Sequence, residues 1–276
     1  MANLLGPVLG GILYSAWGIG PILTISIVCF FLSAVMEIFI HIPHTPRRDQ
    51  RGMWSIVKHD LGESFHFMKT EKPVFLKVIA LVAVFNLVVS AMIMVGIPVL
   101  IVETLGLSDK LLGIAQGALA LGGLTGGILT ATIIKRWALR KSYVLLFLCA
   151  VAVAVMGIVL FFSSHPMVGY LIIVVMSFFS MIVSTIFTVQ MLSVVQLQTP
   201  PHLVGKVIAC IMAIAMCAQP LGQAVYGYLF DFFAADTWGI LLGAAIIGGI
   251  VALASKNVFL QLEQDQEAPA KAEGKL

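Results

Sequence analysis

The chain has 276 residues, of which 60% are hydrophobic and only 11% charged, and its net charge is +3. Soluble domains carry roughly 25% charged residues, so an ordinary globular enzyme is excluded and the small positive excess is no argument for a nucleic-acid partner. Cys29, Cys149, Cys210 and Cys217 all lie in apolar stretches, with neither zinc spacing nor a loop-borne disulfide framework, so no metal and no cofactor is implied.

The first apolar run, Leu4 to Tyr14, is too short to cross a bilayer, and no basic residue precedes it as a signal peptide would require. Seven longer stretches follow at roughly 20–41, 74–101, 111–134, 143–162, 168–195, 206–230 and 238–258. About 20 apolar residues in a helix match a bilayer core of about 30 Å. The expected fold is therefore an all-α polytopic membrane protein, with seven complete transmembrane helices and an N-terminal helix remnant. Fifteen of the 16 lysines and arginines fall in alternate loops and the C-terminal tail, and Lys110 alone falls in the other set. The positive-inside rule places the first set, and with it the C-terminus, in the cytoplasm.

Between the first two complete spans, Trp54, Val57, Leu61, Phe65 and Met68 recur every three or four residues, with Lys58, Asp60, Glu63 and Lys69 on other faces. This period predicts an amphipathic helix lying along the membrane surface. In the span at 111–134, Gly117 and the pair Gly122 and Gly126 belong to a small-residue pattern of one-turn spacing, which lets another helix approach closely. Gly6 and Gly10, flanking Pro7, repeat that spacing near the N-terminus. In the span at 168–195, Ser177, Ser180, Ser184 and Thr188 occupy an arc of about 80° at 100° per residue, with Gln190 close by. Asn86 and Ser90, four apart, add polar groups to the span at 74–101. Polar groups inside a membrane span need protein or a cavity to face, and these seven are the expected substrate-cavity residues. Serine back-bonding to helix carbonyls is the competing explanation for the stripe. Of the thirteen acidic residues only Glu37 lies inside a complete span. The tail from Gln261 to Leu276, rich in Gln, Glu, Ala and Lys, reads as disordered.

The two ends of the chain also correspond. Pro7 and Pro220 match at an offset of 213, with glycines around each and a short loop then a span after each. Internal repeats of this kind build many transporters. The run Gly6-Pro7-Val8-Leu9-Gly10-Gly11, then Leu13-Tyr14-Ser15-Ala16-Trp17, resembles the fifth helix and its exit in the major facilitator superfamily. Ile42-Pro43, Thr188-Val189-Gln190, Leu203-Val204-Gly205-Lys206-Val207 and Ala218-Gln219-Pro220-Leu221-Gly222 follow in the order that family has them. The resemblance is to macrolide-efflux-type bacterial exporters and runs from residue 1 to about 258.

The resemblance implies a partial major facilitator fold, helices 5 to 12, in a multi-pass protein of the bacterial cytoplasmic (inner) membrane. Residues 1–42 would end the N-terminal bundle, 43–73 would be the cytoplasmic linker, 74–258 the C-terminal six-helix bundle and 259–276 the tail. Gly6, Pro7 and Gly10 would meet Gly117, Gly122 and Gly126 between the two halves. The implied function is proton-coupled export of an amphipathic small molecule by alternating access; a lysophospholipid or other lipid flippase of the same superfamily is the alternative. Helices 1 to 4 would be missing partners, leaving the chain inactive alone and without a mid-membrane carboxylate for protons. An enzyme is not expected, because no nucleophile, acid–base pair or ligand set gathers at one membrane level.

Overall fold

The structure is a computed structural model that describes residues 19–39, 53–133, 138–163 and 165–273. Among these, all regular structure is helical. Among the described residues, seven helices are long and apolar enough to cross a membrane, as expected of a multi-pass membrane protein. In lipid each backbone N–H and C=O must be satisfied within its own segment, and a helix does this without edges.

Helix α1 (Ile19–Ile38) has no buried residue among those described. Helix α2 (Met53–Thr70) is the predicted amphipathic segment. It splits its apolar stripe: Phe67 and Met68 are buried, while Leu61 and Phe65 are about half exposed. One side thus rests on the bundle and the other is presented outward. Lys206 fixes it in place, its Nζ lying 2.8 Å from Asp60 Oδ1 and 2.6 Å from Glu63 Oε2.

Six spans form the bundle: α3 (Pro73–Thr104), α4 (Asp109–Ile133), α5 (Ser142–Phe162, entered through a 3₁₀ turn at Leu139–Lys141), α6 (Pro166–Gln198), α7 (Val204–Phe232) and α8 (Thr237–Ala254). The closest pairs are α4 with α6, α5 with α8, and α3 with α7. Helix α3 is not a uniform α-helix, having π-turns at Asn86–Ser90 and Val99–Thr104. A π-turn inserts one residue, re-aims the side chains around it and often marks a functional position. The first of these turns is where α7 comes closest. A Cβ added to Gly222 would overlap the Leu87 carbonyl oxygen and the Ala91 methyl, so only glycine permits this crossing.

The tail departs from expectation. Residues Lys256–Glu273 form helix α9, and Phe259 and Leu262 within it are buried. The polar composition that argues for disorder is offset by these two side chains and by ties to three elements. Lys77 Nζ donates to Gln261 Oε1 at 2.9 Å, Gln198 Nε2 donates to the Leu262 carbonyl at 3.4 Å, and Arg140 lies 3.9 Å from Glu263. Phe259 meets Phe187 of α6 edge to face, ring centroids 6.0 Å apart.

Candidate transport cavity

Two cavities open along α3, one on each side of its first π-turn. The first, about 300 Å³, lies toward the end of the bundle that carries α2 and α9, between α3, α6, α7 and Leu262 of α9. The second, about 500 Å³, lies toward the opposite end and draws its walls from α3, α4, α5, α6 and α7. They are called inner and outer here. Both volumes fall in the range of small-molecule sites. Phe85, Asn86 and Ser184 line both cavities, so the boundary between them sits at the π-turn.

Asn86 is held by two bonds. Its Nδ2 donates to the Ala215 carbonyl of α7 at 3.4 Å, and its Oδ1 accepts from Ser90 Oγ at 3.0 Å. The turn geometry, the α7 crossing and this side chain therefore occupy one point of the bundle. Ser184 contributes twice: its side chain lines both cavities and its carbonyl accepts the Thr188 hydroxyl at 2.9 Å. Thr188 lines the inner cavity with its hydroxyl already engaged, and Ser180 and Ser90 line the outer one. Methionines supply much of the apolar wall, Met191, Met212 and Met216 inside and Met94 and Met181 outside. Their unbranched, polarizable side chains adapt to irregular shapes. Among the described residues, no Asp, Glu, Lys, Arg or His lines either cavity.

Two residues expected at the cavity line neither of these two. Ser177 is fully buried and its Oγ has no hydrogen-bond partner. Gln190 is buried against α5, its Oε1 lying 3.0 Å from the Ser142 hydroxyl, which also reaches the Leu139 carbonyl at 2.7 Å. The stripe from Ser180 to Thr188 meets the cavities, while its first member, Ser177, is covered by packing and Gln190, off the stripe, turns toward α5. Gln116 of α4 and Gln219 of α7, by contrast, line the outer cavity. Gln116 stands alone in an apolar run and Gln219 is followed one turn later by Gln223, which was the only sequence signal for them.

The glycines expected between the two halves are used differently. A Cβ on Gly122 would lie 2.5 Å from the Phe178 carbonyl oxygen, and one on Gly126 would lie 2.7 Å from that of Ile182. Both glycines therefore face α6 of the same bundle. Spacing alone registers a close approach without naming the partner. Gly117 is buried within the same helix, while Gly6, Pro7 and Gly10 lie outside the described residues.

Among known proteins, the family model described as Major Facilitator Superfamily matches residues 1–215. No curated protein and no solved structure matches the chain. With six packed spans, cavities at their centre and a family match over most of its length, the chain belongs to the major facilitator superfamily of membrane transporters.

Proposed function

We propose that the chain is the C-terminal transport bundle, with one preceding helix, of a macrolide-efflux-type exporter that moves an amphipathic small molecule in exchange for protons. The observation that carries this reading is the pair of cavities meeting at Asn86 and Ser184, where apolar walls carry a few hydrogen-bonding groups. A proton antiporter needs a titratable group with alternating access. No carboxylate or histidine lines these cavities among the described residues, so this reading assigns coupling to an N-terminal bundle of helices 1 to 4, which would also form the opposing wall.

Export of a panel of amphipathic drugs and dyes, in cells stripped of their own exporters and expressing the chain with its upstream reading frame, tests the assignment. Ser184→Leu, which fills both cavities, should abolish export at unchanged membrane abundance. Ser193→Leu, on the same helix but lining neither cavity, should leave most of it. Equal loss from both would point to general packing damage.

The proposed location is the bacterial inner membrane with the C-terminus in the cytoplasm, following the loop charges. A single cysteine replacing His165 in a cysteine-free background should react with an impermeant maleimide added outside, and one replacing Thr70 should not. The reverse pattern overturns the orientation.

A further inference from the structure

The polar groups of the outer cavity divide into engaged and free. Asn86 and Ser90 bond to each other, and Thr188 of the inner cavity bonds within its own helix. Gln116 and Gln219 are half-buried, come from different helices and line the outer cavity together. Neither carboxamide has a hydrogen-bond partner among the described residues, nor does the hydroxyl of Ser184. Each carboxamide offers two donors and a carbonyl acceptor. Around them stand Ile93, Met94, Leu119 and Met181, which offer apolar surface and nothing to bond.

We propose that the outer cavity selects an uncharged, hydrogen-bonding group of an amphipathic ligand, read by the Gln116 and Gln219 carboxamides acting as a pair. The inference deepens the transport reading above and rests on it.

Three ligand chemistries can be compared at this wall. A charged group would lose its hydration and meet no opposite charge, because no Asp, Glu, Lys, Arg or His lines the cavity among the described residues. A wholly apolar ligand would displace water from two carboxamides and leave them unpaired, which costs free energy at each. An amide, hydroxyl or carbonyl group on an apolar body satisfies both carboxamides and fills the rest. Sites built to bond a polar group reject analogues that lack it much more strongly than apolar pockets reject one extra methylene.

Binding to the 276-residue chain in lipid nanodiscs tests this with two probes of opposed chemistry. Chloramphenicol is uncharged and carries an amide and hydroxyls; tetraphenylphosphonium is a permanent cation with no donor. Chloramphenicol should bind at least tenfold more tightly. Gln116→Leu and Gln219→Leu should each weaken it about tenfold without weakening the cation. Gln116→Glu and Gln219→Glu, nearly isosteric, should shift the preference toward the cation, and they decide the matter if a leucine variant aggregates. Ser193→Ala, on α6 but lining neither cavity, should change neither affinity.

Binding of both probes, abolished by Ser184→Phe yet unmoved by any glutamine variant, would overturn this inference and leave the transport reading standing. Binding of neither probe would overturn this inference, and the export assay tests the transport reading separately.

Discussion

Helix α6 has two faces that behave oppositely. Toward α4 it is met by Gly122 and Gly126, whose missing side chains bring one helix onto the carbonyls of Phe178 and Ile182. Toward α3 and α7 it presents Ser184, Phe187, Thr188 and Met191, and there the helices stand apart around cavities of about 300 and 500 Å³. Lipid chains are as apolar as leucine, so spans associate where backbones or shapes fit closely and leave space where long side chains prop them apart. The glycine seam therefore reads as structural, and the propped side as the place for a ligand.

Enlarging a residue at the seam should have the largest effect. Gly122→Leu forces a branched side chain onto the Phe178 carbonyl and should cost about 3 kcal/mol, at the upper end for overpacking. Gly127→Leu, next to the seam residue Gly126 but with nothing within 4 Å of an added Cβ, should be nearly neutral. Thermal unfolding in detergent measures both; similar losses would remove the distinction between the faces.

On the propped side, Phe259→Ala takes away the ring that meets Phe187 beside the inner cavity. The cost should be about 3 kcal/mol, as for burying and then truncating a phenylalanine elsewhere. Limited proteolysis should then cut within α9, and an unchanged digestion pattern would show that the helix is held by its polar ties alone.

Gln190→Leu sharpens the same comparison at lower cost. Because Gln190 is bonded toward Ser142 and lines neither cavity, the change should cost about 1 kcal/mol in unfolding and leave ligand affinity intact. A large change in affinity with unchanged stability would return Gln190 to the binding surface.

The smallest effect belongs to the junction between α2 and α7. Hydrogen bonding to Lys206 holds the Glu63 carboxyl below its ordinary value of 4.5, with the Lys206 charge adding to the shift. A depressed carboxyl stabilises the fold above its unfolded pKa, and that contribution is lost as pH falls through the lower folded value. Docking of α2 should thus be unaffected from neutral pH down to about 4.5 and weaken only below it. Exposed ion pairs are screened by salt, so raising salt at neutral pH should imitate part of the effect. Cross-linking between a cysteine at Lys69 and one at His202 would report it.

Reading the chain without its fold recovered the spans, because a fixed hydrocarbon thickness leaves one solution for a long apolar run. The stripe on α6 was legible for the same kind of reason, since helical period alone puts Ser180, Ser184 and Thr188 together. Its extent was not, because whether Ser177 or Gln190 meets open space depends on where neighbouring helices end.

The glycine spacing announced a close approach, and the partner turned out to be α6 of the same bundle. Tail composition pointed to disorder, yet two apolar residues sufficed once Phe187 and the end of α6 were there to receive them. The π-turn at Asn86 has no sequence signature of its own. It places Asn86 between two cavities only because Gly222 brings α7 against that turn. The sequence by itself thus determined which segments leave water, a question of local hydrophobicity and length. The tertiary structure decided which polar groups stay unpaired, because that depends on surfaces far apart in the chain.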